Sequence, residues 1–370
     1  MRITSAEISV LEVPLKVPFI VAYARYDAMP TVILTLRTDT GLVGYGEAVP
    51  DEHVTGESIA SVVAALRDQL LPALWDTDPT DINAVHAAMN RALLGNGAAK
   101  AALDIACYDL FGKHAGLPVY ALLGGRKPEP PMIAKVLSIL PPAELAEQAT
   151  AAVAQGFTHL KMKLGDPALD VERVRQVRAA VGPAVGIRVD VNQGWTDVAT
   201  SRRMIAAIEP FGIDWVEQPF LAEHLAGFRQ LRPHTAIPLM ADEGVITSAH
   251  VAQLVRDESV DMVNLKLMKS GGILPCNRLA TQAALGGITA QIGSMLETSI
   301  SSAAGYHLAL AHPNIVSTEL SGPVAFLTEP GNLRFPLPFV DITNRPGLGV
   351  DVDVDILASL TLHTQELSRP

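Results

Sequence analysis

Eight short apolar segments separated by helical patterns fill the chain from about residue 131 to residue 320. They lie near 132–139, 158–164, 185–191, 213–217, 237–242, 261–267, 288–294 and 315–320. Strands that are apolar on both faces are typical of a parallel sheet covered by helices. Eight such strands alternating with helices predict a β/α barrel. The alternative is an open, doubly wound sheet, but the glycine-rich phosphate turn of that fold is missing.

Residues 1–125 have a different pattern, which predicts a separate α+β capping domain. Alternating apolar and β-branched residues predict strands, and three helical stretches follow them. Gly124-Gly125 marks the boundary, so we expect the barrel over 126–328 and a C-terminal segment, 329–370, that returns to the cap. The loops around Thr55 and between Tyr23 and Tyr26 are expected to form a lid that sets specificity.

Composition and charge argue against several classes of function. The net charge is −11 without runs of lysine or arginine, which argues against binding to nucleic acid or to an anionic membrane. The two cysteines, Cys107 and Cys276, form no Cys-x-x-Cys pair, so we expect a reducing cytoplasm. We find neither a signal peptide nor an apolar run of the roughly 18 residues that a membrane span needs.

Charged residues end five successive strands of the predicted barrel. They are Lys163, Asp190, Glu217, Asp242 and Lys266, spaced by 24 to 27 positions. This spacing is about the length of one β/α unit, and the residues just before each charge are apolar. The five charges should therefore meet at the carboxyl ends of the strands, where the active sites of barrel enzymes lie.

Three carboxylates between two lysines indicate metal-assisted proton transfer. An all-oxygen site of Asp190, Glu217 and Asp242 suits Mg²⁺, with Mn²⁺ as a substitute, better than zinc. The metal would hold a substrate carboxylate and stabilise the enediolate that forms when the adjacent carbon loses a proton. Lys163 and Lys266 would face one another across the barrel mouth, so that one takes the proton and the other returns it on the opposite face.

Lys161 shares a face with Lys163, since residues two apart in a strand point the same way. A base with a pKa near 7 lies about 3 units below free lysine, which requires roughly 4 kcal/mol of differential interaction. Burial, the metal and the charge of Lys161 would each lower the pKa of Lys163. We therefore interpret Lys161 as a tuning residue and a contact for the substrate carboxylate. Lys269, in the turn after Lys266, is expected on the solvated surface.

The segments that carry these charges resemble the enolase superfamily, in its muconate-lactonizing-enzyme subgroup. They are Lys161-Met162-Lys163, Asp190-Val191-Asn192-Gln193-Gly194-Trp195, Val216-Glu217-Gln218-Pro219, Met240-Ala241-Asp242-Glu243 and the stretch from Asn264 to Gly272. The resemblance implies a modified (β/α)₇β TIM barrel under an N-terminal α+β cap. It also implies Mg²⁺ on the three carboxylates and the two lysines as the acid–base pair. We expect a small-molecule carboxylate as substrate and a homo-oligomer.

Within the subgroup the chain most resembles dipeptide epimerases of the L-Ala-D/L-Glu type. The cap loop 54–58 and the segment 293–298 carry this likeness. Those enzymes have Asp-x-Asp on the eighth strand for the ammonium group of the dipeptide, whereas this chain has Glu319-Leu320-Ser321. The candidate substrate contacts are Arg25, Thr55, Ser294, Glu297, Glu319 and Ser321. Asn192 and Glu243 are expected to support the metal ligands from behind.

The leading hypothesis is epimerisation or racemisation of a dipeptide or an N-acylated amino acid by two opposed lysines. One alternative is cycloisomerisation of a muconate-like diacid, in which one lysine gives only electrostatic support. Another is a syn-elimination of the dehydratase or succinylbenzoate-synthase type. A non-catalytic metal-binding scaffold is the alternative from a different class, and it predicts no exchange of an α-hydrogen with solvent.

Overall fold

The cap is built on an antiparallel sheet. The computed structural model describes residues 1–129 and 132–369, and over this part the sheet has four strands. They are β1 Ile3–Ile20, β2 Arg25–Thr38, β3 Val43–Ala48 and β12 Thr361–Ser368, and they lie in the order β12-β1-β2-β3. The C-terminal strand pairs with β1 from Ser5 opposite Ser368 to Leu11 opposite Thr361, so the end of the chain is part of the cap sheet.

Five helices follow β3 within residues 49–129. They are α1 Ile59–Ala65, α2 Leu71–Leu74, α3 Ile82–Ala92, α4 Gly97–Ala115 and α5 Val119–Leu122, with a π-helical turn, Leu66–Leu70, joining α1 to α2. Helix α4 is buried along most of its length and packs on β3. Gly46 permits this packing, because a Cβ there would lie 1.8 Å from the carbonyl oxygen of Ala102.

The second domain is the predicted barrel, and all eight expected strands are found in the described residues. They are β4 Lys135–Leu137, β5 His159–Lys163, β6 Gly186–Asp190, β7 Val216–Glu217, β8 Leu239–Ala241, β9 Met262–Leu265, β10 Thr289–Ile292 and β11 Ile315–Thr318. They pair in parallel in chain order, and a bridge between Ile133 and Thr318 closes the barrel.

Helices follow the first seven barrel strands. They are α6 Pro142–Ala154, α7 Asp170–Val181, α8 Val198–Ile208, α9 Gly227–Leu231, α10 Ser248–Asp257, α11 Leu267–Ser270, α12 Ile273–Leu285 and α13 Ser299–Ala311. After β11 come only the four-residue α14 Gly322–Ala325 and, near the C-terminus, α15 Val354–Leu360. The described chain thus has the expected (β/α)₇β arrangement. None of its helices is long and apolar enough to cross a membrane.

Strand register aligns the predicted site. Lys163 pairs laterally with Asp190, and Asp190 pairs with Glu217, so three of the charges lie at one level. Asp242 and Lys266 each follow their strand by one residue. Strands β5 and β9 are four places apart in a closed barrel of eight, so Lys163 and Lys266 approach the mouth from opposite sides.

Candidate active site

The three predicted metal ligands come together at the barrel mouth. Asp190, Glu217 and Asp242 each offer a carboxylate oxygen, these oxygens lie within 4.8 Å of one another, and all three residues are buried. Carboxylate oxygens at this spacing suit a hard divalent cation such as Mg²⁺.

The hydrogen bonding of these carboxylates also fits a cation. Oε2 of Glu217 and Oδ2 of Asp242 are buried, and no donor in the described residues meets them in hydrogen-bonding geometry. Lysine nitrogens do lie near both oxygens, 2.9 Å from the first and 2.8 Å from the second. A carboxylate oxygen has two lone pairs, so each of these oxygens can accept a cation as well as its lysine.

The charged groups of this cluster shift one another's pKa values. Burial, reinforced by the nearby charge of Asp190, raises the pKa of Glu217 well above its ordinary value. Burial also acts to raise the pKa of Asp190, but Lys161 and Lys163 outweigh it and hold that pKa below the ordinary range. Carboxylates crowded in this way repel one another, and a divalent cation on the same oxygens would relieve that repulsion.

Lys163 and Lys266 both line one cavity above these carboxylates. The Lys163 Nζ lies 2.6 Å from Oδ2 of Asp190, and the Lys266 Nζ lies 2.8 Å from Oδ2 of Asp242. Burial acts to lower the pKa of Lys266, but the carboxylates of Asp242 and Glu243 outweigh it and raise that pKa.

Lys161 takes a different place from the one that we expected for a substrate contact. Its Nζ lies beneath the cavity, 2.8 Å from Asp190, 2.9 Å from Glu217 and 2.6 Å from Oε2 of Glu319. The side chain is 1% exposed and does not line the cavity. Burial opposes its charge, yet the surrounding carboxylates raise the pKa of Lys161 well above the ordinary value. Lys161 thus neutralises carboxylates below the cavity, and its contact with a substrate carboxylate stays a prediction.

Lys269 is buried, so the expectation of a solvated surface lysine was wrong. Its Nζ donates to Oδ1 of Asp242 at 2.6 Å and to the carbonyl oxygen of Asn264 at 3.0 Å. The flexible four-carbon stem reaches back from helix α11 into the barrel end. Lys269 therefore fixes one carboxylate oxygen of Asp242 while the other faces Lys266.

Asn192 and Glu243 lie together beside the predicted metal ligands, and Asn192 also lines the cavity; their support of the ligands stays a prediction. The Asn192 Nδ2 donates to Glu243 at 2.9 Å, and the Asn192 backbone N–H donates to Oδ1 of Asp190 at 3.0 Å. Burial, with the charges of Asp242 and Asp190, raises the pKa of Glu243 to about 7.

The cavity lies between the barrel mouth and the cap. Its cap wall consists of two segments, 19–29 and 49–57, which together we call the lid. Tyr23 and Tyr26 from the first segment and Asp51 from the second line the cavity. The Tyr26 hydroxyl donates to Asp51 at 2.5 Å, and the Tyr23 ring stacks on His53 with ring centres 4.5 Å apart. These two contacts join the lid segments.

The predicted substrate contacts divide into two groups. Ser294 and Glu319 line the cavity, whereas Arg25, Thr55, Glu297 and Ser321 do not. Arg25 is exposed and pairs with Asp27, and the Thr55 hydroxyl donates to the Asp51 carbonyl. Glu297 accepts from the Ser294 hydroxyl at 2.6 Å and from the Met295 amide at 2.8 Å, which holds their turn in place. Ser321 lies beyond Glu319, at the start of α14.

Sequence reasoning missed three features of the site. Asp51 lines the cavity although it lies in the cap, and Leu296 lines it with a left-handed φ of 61°, which is unusual for a bulky residue. Glu47 joins β3 of the cap to the start of α13. The only sequence signals were a carboxylate ending an apolar strand, for Glu47, and a polar residue just after that strand, for Asp51.

Comparisons with known proteins agree with this architecture. Residues 5–124 match the family "Mandelate racemase / muconate lactonizing enzyme, N-terminal domain", and residues 144–356 match "Enolase C-terminal domain-like". An N-succinyl-L-Arg/Lys racemase from Bacillus cereus is 42% identical over 98% of each chain. Its crystal structure superposes with a TM-score of 0.98, over 99% of this chain and 100% of that one.

Two further relatives differ in their reactions. A dipeptide epimerase from Cytophaga hutchinsonii, solved with Mg and the dipeptide D-Ala-L-Val, is 31% identical with a TM-score of 0.95 over the whole of both chains. Muconate cycloisomerase 1 from Rhodococcus opacus is 31% identical over 98% of this chain and 99% of its own. Together with the carboxylate triad and the opposed lysines, these matches show that the chain belongs to the enolase superfamily, in its muconate-lactonizing-enzyme subgroup.

Proposed function

We propose that this protein is a Mg²⁺-dependent racemase of N-acylated α-amino acids. The observation that carries the proposal is that Lys163 and Lys266 line one cavity from opposite sides of the barrel, above three clustered carboxylates. Two opposed bases can remove and return a proton on either face of a planar carbon, which is what racemisation requires. The reactions of the relatives, which include an N-succinyl amino acid racemase and a dipeptide epimerase, support the same class of chemistry.

Each residue has a separate task. Mg²⁺ bound by Asp190, Glu217 and Asp242 would hold the substrate carboxylate and stabilise the charge that develops on it. Lys163 removes the α-proton from one enantiomer, and Lys266 delivers a proton to the opposite face. In the reverse direction the two lysines exchange roles. Tyr23 and Tyr26 of the lid restrict the access of water to the carbanion.

The eighth strand favours an N-acyl substrate over a free dipeptide. The Glu319 Oε2 lies 2.6 Å from Lys161, and the Glu319 Oε1 lies 3.4 Å from the Asn264 amide and 3.3 Å from the Ser294 backbone nitrogen. This carboxylate is thus already paired, and the second carboxylate of the epimerase pattern is replaced by Ser321. An acylated nitrogen carries no charge and needs no carboxylate partner. The name of the Bacillus cereus relative suggests succinyl as the acyl group.

Cycloisomerisation of a muconate is a second candidate, supported by the likeness to the Rhodococcus opacus enzyme. A muconate carries two carboxylates. Of the cavity's lysines, Lys163 and Lys266 each already pair with a ligand carboxylate, and Asp51 adds a negative charge on the lid side. This charge distribution disfavours a dianion and ranks racemisation first.

The proposal is tested by incubating N-succinyl-L-amino acids, L,L-dipeptides and cis,cis-muconate separately with the protein and Mg²⁺ in D₂O. Racemisation predicts a gain of one mass unit at Cα together with loss of optical rotation for the N-succinyl compounds. Lactone formation from muconate without any α-hydrogen exchange would refute racemisation. Support of the reaction by Mn²⁺, a homo-oligomeric state and a cytoplasmic location stay predictions from the sequence.

A further inference from the structure

A second pocket lies where the cap meets the outer helices of the barrel. Helices α3 and α4 of the cap form one wall, and the start of α10 with α11 and α12 of the barrel forms the other. This junction pocket shares no lining residue with the cavity of the candidate active site. Lys269 belongs to its barrel wall, but the Nζ of that lysine donates to Asp242 and its side chain has no exposed surface. The junction pocket is therefore separate from the cavity above the carboxylate triad.

The charged side chains that line the junction pocket are all basic. Besides Lys269 they are Lys100 and Arg278, with the imidazole of His86 beside them. In the part of the chain that the structure describes, no aspartate or glutamate lines this pocket. The fully buried carboxylate of Asp104 lies behind His86, whose Nε2 donates to it at 2.6 Å. Lys100 and Arg278 therefore give the pocket a positive charge that no lining carboxylate offsets.

Lys100 is nearly buried, at 7% exposure, and has no counter-ion. Among the described residues, its Nζ has one hydrogen-bond acceptor, the Oδ1 of Asn90 at 2.9 Å, although an ammonium group has three donors. Burial lowers the pKa of Lys100, and the charge of Glu57 opposes this only in part. The Glu57 carboxylate itself accepts from the backbone N–H groups of Ala98 and Ala99, at 2.8 and 3.2 Å. A buried cation without a countercharge is unfavourable, and a bound anion would offset that cost.

Two further groups of donors line the same pocket. Thr247 and Ser248 line it at the start of the ten-residue helix α10, whose first turn has no acidic residue and no side-chain cap. The first N–H groups of a helix lack partners within the helix and attract anions. Arg278 is exposed, and its Nη2 donates to Asn83 at 2.8 Å. The other N–H groups of its guanidinium can pair with the oxygens of a carboxylate or a phosphate.

We infer that the junction pocket is a second binding site, which takes a small organic anion bearing a carboxylate or a phosphate group. Lys100 of the cap and Arg278 of the barrel both pair with this anion, so that it joins α4 to α12. Leu93, Pro275 and Leu279 line the same pocket and supply apolar surface for the carbon skeleton of the ligand. The inference does not rest on the racemase proposal, because none of these residues belongs to the cavity of the candidate active site.

Isothermal titration calorimetry with inorganic phosphate and with succinate, each at constant ionic strength, tests the site. The wild-type protein should bind at least one of the two anions. Lys100→Met should raise the Kd at least about tenfold, which is the usual effect of losing a charge-assisted hydrogen bond. Arg278→Gln, at a more exposed position, should raise it about three- to tenfold. Tighter binding of phosphate would identify the ligand as a phosphate ester, and tighter binding of succinate would identify it as a carboxylic acid.

A matched control removes a positive charge outside the junction pocket. Arg256→Gln, at a 73% exposed position near the far end of α10, should change the Kd by less than about twofold. Anion binding in the cavity of the candidate active site would not respond to the substitutions in the junction pocket. An unchanged Kd in Arg278→Gln or in folded Lys100→Met, or no binding of either anion, would overturn the inference. The titrations need no turnover, so such a result would leave the racemase proposal standing.

Discussion

Replacing Glu47 with Gln should change how the stability of this protein depends on pH. Glu47 lies in β3 of the cap and is fully buried. It accepts hydrogen bonds from the backbone N–H of Thr298 at 2.8 Å and of Ser301 at 3.0 Å, at the start of α13. The hydroxyls of Thr298 and Thr31 also donate to it, at 2.9 and 3.1 Å. One carboxylate thus joins the cap to the barrel helix that follows the cavity turn at Ser294.

The size of the effect follows from the shift in pKa. Burial raises the pKa of Glu47 from 4.5 to about 7, although the hydrogen bonds from α13 oppose the rise. The folded state therefore binds more protons than the unfolded state between these two values. The stability that Glu47 contributes is complete below pH 4.5 and is lost as the pH rises through 7. At 1.36 kcal/mol per pKa unit, the full loss is about 3 kcal/mol.

Urea unfolding at pH 5 and pH 8, with EDTA present, measures this contribution. Wild-type protein should lose about 2.5 kcal/mol more stability than Glu47→Gln over that interval, because glutamine does not titrate. All other ionisable groups are shared, so their effects cancel in the comparison. Glu223→Gln, at an exposed position, is the control and should follow the wild-type curve. Parallel pH curves for wild type and Glu47→Gln would refute the reasoning.

Three other outcomes are expected. Lys163→Ala and Lys266→Ala should each lower the rate of racemisation by at least about 100-fold. Each variant should still exchange the α-hydrogen of the one enantiomer that faces the remaining lysine, and ¹H NMR in D₂O measures both racemisation and exchange. Equal exchange of both enantiomers would remove the replaced lysine from the acid–base pair. Mg²⁺ at 100 times its Kd should raise the free energy of unfolding, measured by urea denaturation, by about 2.7 kcal/mol. Glu217→Gln should lose most of this increase. An unchanged increase would exclude Glu217 as a metal ligand. Lys269→Met should lower the free energy of unfolding by about 3 kcal/mol, because Asp242 then loses a buried ion-pair partner. The control Lys16→Met, at an exposed position, should lower it by about 0.5 kcal/mol or less. Equal losses in the two variants would contradict a stabilising pair between Lys269 and Asp242.

The barrel strands and the charged residues at their ends could be predicted from the sequence. Apolar strands bounded by turn residues are local signals, and all eight barrel strands were found where they were expected. The charges at the strand ends are equally local, since their spacing follows the length of one β/α unit. Parallel strands in register then bring Lys163, Asp190 and Glu217 side by side. The same reasoning expected the C-terminal segment to return to the cap, but it could not give the length of β1 or the pairing of β1 with the last strand, because that pairing joins the two ends of the chain.

The two lysines of β5 show which contacts the sequence pattern could not predict. Alternation along a strand correctly places Lys161 and Lys163 on one face, but it does not reveal that Lys161 lies among three carboxylates below the cavity. The prediction for Lys269 was wrong for a related reason. Its flexible side chain turns inward to Asp242, and the local sequence pattern does not show in which direction such a side chain points. Asp51 and Glu47 meet the barrel only because the cap packs across its mouth. Strands and the predicted catalytic charges are thus set by local periodicity, whereas the pairing of buried charges and the position of the cavity-facing carboxylate of Asp51 depend on contacts between residues far apart in the chain.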